Sequence, residues 1–250
     1  MNPFSAILLF LAGVAAGFIN VNAGGGSFLT IPLLILLGGL SPTAANGTNR
    51  IAILLQNLFA MKNFRNHGFR DLRQGVKLGL SAVVGAVIGS TVALEIPDDV
   101  FRIILSGVML MALVIIFKPA GKKDVDHAGE ELRHPRLQVL MFFLIGIYGG
   151  FIQAGTGYLV IFALSVVGGL SLVKTNSLKI IVIAFYMLPS LAVFVIGGEV
   201  RWVPGLILAA GTSLGGWTGT AFAVRKGDRW IKLILAAAIT AMALKMMGLF

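Results

Sequence analysis

The sequence predicts an all-α, polytopic membrane protein made of two inverted repeats of about five membrane segments each, with short or broken helices at glycine-rich motifs. Three observations carry that prediction. Hydrophobic residues make up 57% of the 250-residue chain and charged residues 12%, with a mean hydropathy of +0.94. Soluble chains carry roughly 25% charged residues, so the solvent here is the bilayer. Apolar runs recur near the roughly 20 residues that one crossing requires. Finally, motifs of the first half return in the second at matching positions.

The first span runs from about Pro3 to Val21. Its start has the apolar heart of a signal peptide but no basic residue, and its end belongs to a motif that recurs later, so it reads as a retained span. The break Gly24-Gly25-Gly26-Ser27 follows. The next apolar run, Ser27 to Leu40, is short at 1.5 Å per residue and is either a steep span or a half-helix that re-enters. Pro42 suits a helix start, and the helix from about Ala44 to Met61 carries Thr48, Asn49 and Arg50 in its first turns.

Lys62, Arg65, Arg70, Arg73 and Lys77 then face a single acid, Asp71, which marks a cytoplasmic loop. A span from about Leu72 to Leu94 leads to the acidic turn at Glu95, Asp98 and Asp99, and a further span runs from about Phe101 to Phe117. This divides the chain into a first membrane repeat at 1–117, a cytoplasmic linker at 118–136 with five basic and four acidic residues, and a second membrane repeat at 137–250. The linker reads as a solvated connector.

In the second half Gly150-Phe151-Ile152-Gln153 echoes Gly17-Phe18-Ile19-Asn20. Gly155-Thr156-Gly157 falls where the glycine triplet fell, and Tyr158 to Leu170 repeats the short run. Gly168-Gly169-Leu170-Ser171 matches Gly38-Gly39-Leu40-Ser41, and Thr175-Asn176 echoes Thr48-Asn49. Gly75, Leu78, Gly85, Gly89 and Ala93 recur as Gly205, Leu208, Gly215, Gly219 and Ala223. Counting five crossings per half places the basic stretches 62–77, 118–136 and 225–232 on one side and inverts the halves. Counting four makes the repeat parallel and puts the last stretch outside, which the positive-inside rule disfavours.

The net charge of +10 is explained by these loops. Aromatic residues are not interleaved with the basic ones as a stacking platform for nucleic acid would require, so no nucleic-acid partner is expected. The chain has no cysteine, which removes disulfides and thiolate metal sites. His67, His127 and His134 lie in hydrophilic loops. No span holds a paired-carboxylate or metal-ligand constellation and no phosphate-binding glycine loop is present, so no enzyme, metal site or cofactor is expected.

Duplicated halves with short, glycine-interrupted segments at matching positions point to a secondary transporter's binding site. A helix that begins inside the membrane presents unpaired N–H groups and the positive end of its dipole, which suits an anion. The candidate substrate-binding residues are therefore Asn20, Asn22, Gly24, Gly25, Gly26, Ser27, Thr48, Asn49 and Arg50 in the first half. Gln153, Gly155, Thr156, Gly157, Lys174, Thr175 and Asn176 are their counterparts in the second. For Arg50 the competing expectation is snorkelling near a surface; for Lys174 and Lys179, a cytoplasmic helix end; for each amide, a bond to a neighbouring helix. Gly85 with Gly89, and Gly215 with Gly219, fit close helix packing.

The glycine-rich break followed by Pro32, the Ala-x-Gly-Thr-Asn run at Ala45 to Asn49, and their weaker copies at Gly155–Gly157 and Thr175-Asn176 resemble the sulfite exporter TauE/SafE family of membrane permeases. The likeness covers nearly the whole chain. It departs where Gly155-Thr156-Gly157 replaces a glycine triplet and Lys174-Thr175-Asn176 replaces Gly-Thr-Asn. The resemblance implies transport, as an exporter, of a small sulfur-containing or organic anion such as sulfite or a sulfonate across the bacterial inner membrane. Alternating access is the expected mechanism and a passive anion channel the alternative. The implied partners are the small anionic substrate and the lipid bilayer, with a proton or sodium as coupling ion and a homodimer both left open.

Overall fold

The computed structural model of the chain describes residues 1–66, 72–117 and 132–223. The middle of the basic loop, most of the linker and the final predicted segment with Arg225, Lys226, Arg229 and Lys232 lie outside the described residues, as do His67 and His127. The described residues are helical almost throughout. In chain order the helices are α1 (Pro3–Ala23), α2 (Ser27–Leu36), α3 (Pro42–Asn66), α4 (Leu72–Glu95), α5 (Asp98–Phe117), α6 (Pro135–Phe151), α7 (Thr156–Ile161), α8 (Leu172–Ile196) and α9 (Trp202–Ala223). A π-helical turn, Phe162–Val167, continues α7.

Local chemistry sets these limits. Asn2 caps α1, its side chain accepting from the Ser5 N–H at 2.7 Å, and Pro3 supplies the preset φ of a first helical residue. α1 stops at Gly24, whose φ of 78° is left-handed and whose N–H returns to the Asn20 carbonyl. α3 begins where Ser41 Oγ accepts from the Ala44 N–H and Asp98 accepts from the Thr43 N–H at 3.0 Å. That second bond ties the start of α5 to the start of α3. Ser171 caps α8. α6 begins at Pro135, just inside the stretch expected to be linker.

Three described stretches are long and apolar enough to cross a membrane: Pro3–Val21, Leu72–Glu95 and Lys174–Ile196. α3, expected to be a span, has 25 residues but is rich in amides and hydroxyls. It lies inside the bundle with Asn46, Thr48, Asn49, Arg50, Gln56 and Asn57 all buried. Meanwhile Ile103, Met111, Leu80, Val84, Leu140 and Leu144 are exposed on other helices. This inversion of the soluble pattern, polar inside and apolar outside, is what a lipid solvent selects.

Packing is organised across the halves. α1 lies along α9 and α6 lies along α4, with glycine at each close approach. A Cβ at Gly215 would strike the Val14 carbonyl and one at Gly211 the Phe10 carbonyl. Likewise, a Cβ at Gly85 would strike the Phe143 carbonyl and one at Gly89 the Ile147 carbonyl. Absent side chains let the backbones meet, as small residues do in membrane bundles.

These contacts also fix the helix directions. Residue numbers rise together along α1 and α9 (Phe10 with Gly211, Val14 with Gly215) and along α3 and α9 (Thr48 with Gly205, Gln56 with Gly216). They rise together too along α4 and α6 (Ala82 with Gly146, Ala86 with Gly150) and along α4 and α8 (Gly75 with Ile181, Gly79 with Phe185). Along α3 and α8 they run oppositely, Gly47 meeting Phe194 and Arg50 meeting Met187 and Ser190. Hence α1, α3 and α9 point one way, and α4, α6 and α8 the other. Since α1 and α3 are parallel, α2 must carry the chain back between them. Its ten residues rise about 15 Å, half the hydrocarbon thickness.

Candidate functional site

The two glycine breaks meet. A Cβ at Gly24 would lie 2.8 Å from Gly157 Cα, and one at Gly157 would lie 2.6 Å from Gly24 Cα. The helices that begin at these breaks therefore start beside one another, with the Phe28 ring packed against Gly155.

The first break is fastened by amides. Asn20 Nδ2 donates to Gln56 Oε1 at 3.2 Å, and its Oδ1 accepts from the Gly26 N–H at 3.4 Å. Asn49 holds the first turn of α2, its Oδ1 accepting from Thr30 Oγ1 at 2.6 Å and its Nδ2 donating to Ser27 Oγ at 3.2 Å. Gly25 and Gly26 carbonyls accept from the Phe28 and Leu29 N–H groups, opening α2.

At the second break Gln153 stands at φ 59° and Gly155 at φ 77°. The left-handed region costs a side-chain-bearing residue roughly 1–2 kcal/mol, so Gln153 needs support. Tyr186 Oη donates to its Oε1 at 3.2 Å, and Thr156 Oγ1 donates to its carbonyl at 2.7 Å.

Two buried cations flank this meeting place. Arg50 on α3 is 0% exposed. Its Nη1 donates to the Gly149 carbonyl at 3.1 Å and to Ser190 Oγ at 2.6 Å. Its Nη2 donates to the Gly150 carbonyl, and its guanidinium carbon sits 4.4 Å from the centre of the Phe194 ring. Its Nε has no partner among the described residues. Ser190 in turn contacts Ser90 Oγ, which also donates within reach of the Gly150 carbonyl. Asn46, one turn before Arg50, donates to the Phe151 carbonyl at 2.8 Å.

Lys179 on α8 is 2% exposed. Its Nζ donates to the Val21 carbonyl at 3.3 Å and to Asn176 Oδ1 at 2.8 Å. Each cation thus reaches across to the carbonyl end of the other half's first helix, where the helix dipole is negative. Among the described residues no acid is a partner of either. The described carboxylates Glu95, Asp98, Asp99 and Glu199 all lie outside the buried set.

The sequence model described as Sulfite exporter TauE/SafE matches residues 9–246. The chain belongs to the TauE/SafE family. Curated relatives match it over most of its length. A probable membrane transporter protein, ORF9, of a Sinorhizobium species is 30% identical over 96% of this chain and 91% of its own length. A probable membrane transporter protein of Haemophilus influenzae is 30% identical over 96% and 93%. The probable membrane transporter protein YfcA of Escherichia coli K12 is 28% identical over 99% and 91%. No solved structure matches. Family membership and the apolar helices together make this a multi-pass membrane protein.

Within this TauE/SafE bundle the anticipated residues separate into groups. Asn20, Gly24, Gly25, Gly26, Ser27 and Asn49 gather at the first break, and Gln153, Gly155, Thr156 and Gly157 at the second. Arg50 is fully buried rather than snorkelling. Asn22 falls in the last turn of α1, and its side chain is outside the described set. Thr48 turns away, its Oγ1 accepting from the Arg201 N–H at 2.9 Å in the turn before α9. Lys174 lies in the first turn of α8 and is half-buried, whereas Lys179 is the lysine that enters the bundle. Asn176 reaches the site through Lys179. Thr175 is buried and its hydroxyl has no partner among the described residues.

Ser90, Ser190, Tyr186, Gln56 and Asn46 were not singled out by the sequence. Lone hydroxyls in apolar helices usually bond to the carbonyl one turn back, as Ser90 also does to Ala86, so their cross-helix role leaves no local signal.

Proposed function

We propose that the protein is a secondary transporter, an exporter of a small sulfur-containing or organic anion such as sulfite or a sulfonate across the bacterial inner membrane. The carrying observation is the contact of two glycine breaks, one from each half, flanked by two buried cations that have no acidic partner among the described residues. A buried charge without a counter-charge is costly, and helix carbonyls offset only part of that cost, so an anion is the complementary ligand. The relatives' printed names, probable membrane transporters, support the reading.

The two halves act as inverted repeats. Support comes from the opposite running of α1 and α6, of α3 and α8, and of α4 and α9, which are counterparts by sequence motif. Pivoting one repeat against the other about the Gly24–Gly157 contact would expose the breaks to alternate sides. In this reading Ser27 at the start of α2 faces the anion pathway, Arg50 and Lys179 supply charge, and Asn49 positions α2 rather than touching the solute.

The test uses purified full chain. Sulfite, sulfoacetate, taurine, thiosulfate and sulfate are each added at increasing concentration while the melting temperature is followed. A bound anion at 100 times its Kd adds about 2.7 kcal/mol of stability. In proteoliposomes, sulfite loaded inside should speed entry of labelled sulfite from outside. Stabilisation without such acceleration would favour a passive channel; no stabilisation by any anion would overturn the reading.

A further inference from the structure

Arg50 and Lys179 are not two halves of one clamp. Arg50 meets α8 at Ser190, eleven residues beyond Lys179, a separation of about 16 Å at the rise of an α-helix. Both positions nevertheless lie on one face of α8, because eleven residues return the helix to within about 20° of its starting direction. Tyr186, seven residues from Lys179, falls on that same face and points to Gln153. The level of Lys179 is that of Val21, before the first break; the level of Ser190 and Arg50 is that of Gly149 and Gly150, before the second.

The two cations also have unspent capacity. The buried Nε of Arg50 has no partner among the described residues. The ammonium of Lys179 has three donors, of which two are engaged, with Val21 and Asn176. Each is a buried positive charge whose partners are all neutral.

We propose that the bundle contains two separate anion stations, one at Arg50 and one at Lys179, set apart along α8 and joined by its Tyr186 face. Each station neutralises one negative charge of a small oxyanion, and both are filled together at saturation. This rests on the anion-transport reading and adds to it the number and position of sites.

The deciding measurement is equilibrium dialysis of labelled sulfite against the purified full chain, giving bound sulfite per chain at saturation. Two per chain is expected, falling to one in Arg50→Gln and one in Lys179→Gln. If either variant is not recovered folded, the wild-type ratio still decides. One sulfite per chain in the wild type, lost in both variants, would overturn the two stations and leave anion transport standing. No bound sulfite, sulfoacetate or thiosulfate in the wild type would overturn both.

Discussion

At the first glycine break an amide clamp running Thr30–Asn49–Ser27 ties the new helix to α3. At the second, a strained Gln153 is propped by Tyr186 and Thr156, and the following helix relaxes into a π turn after six residues. The breaks occupy equivalent places in their halves, yet one is held by side chains reaching in from a neighbouring helix and the other largely by its own backbone and Tyr186. Two matching glycine motifs thus turn the chain back while being held by different means. Wide turns such as π-helices are often found at functional sites.

The largest effect should come where the breaks touch. Gly24→Ala adds a Cβ against Gly157 backbone at a φ of 78°, combining a left-handed penalty of about 1–2 kcal/mol with overpacking of about 1–3 kcal/mol. Gly157→Ala meets the same backbone without the φ penalty. Thermal unfolding in detergent should rank Gly24→Ala below Gly157→Ala, both below the parent. Equal melting temperatures for all three would mean the breaks do not press on one another.

Next in size is the clamp. Asn49→Ala removes the donor to the buried Ser27 hydroxyl and leaves the Thr30 hydroxyl only its 3.5 Å bond to the Gly26 carbonyl, at about 1–3 kcal/mol. Asn176→Ala removes one bond to Lys179, about 0.5–1.5 kcal/mol. The comparison is sharpened if Asn49→Ala lowers the melting temperature more than Asn176→Ala. It is broken if the order reverses.

How much of this was readable in advance depended on helical phase. Glycine at a break and the paired motifs were legible, because a reversal of the chain demands particular backbone angles and duplication copies them. Thr48 and Asn49 are neighbours, but a 100° turn between consecutive residues sends one to Arg201 and the other to Ser27. A net rotation of about 140° over five residues separates half-buried Lys174 from buried Lys179. Adjacent polar letters do not reveal which one faces inward until the packing partners of each helix are known. Ser90 and Ser190 were invisible for a related reason, since only the crossing of α4 and α8 brings them together.

The smallest predicted effect tests the prop at the second break. Tyr186→Phe deletes the hydroxyl that donates to Gln153 and should cost about 0.5–1.5 kcal/mol. Gln153→Gly removes the need for that prop, so adding Tyr186→Phe to it should cost nothing further in a thermal-unfolding double-mutant cycle. A full additive loss would show that Tyr186 supports something other than Gln153.

The pairing of α1 with α9 has a bearing on how the molecule is made. α1 ends at Ala23 and α9 begins at Trp202, so the first helix is threaded into lipid with roughly 180 residues still to be synthesised, on the order of 10–40 s at ribosomal speed. During that interval its glycine groove has no mate, and lipid or the insertion machinery must occupy it. Assembly of this bundle therefore waits until α9 has been made, and a chain cut short before Trp202 would leave the α1 face that packs on α9 unmatched.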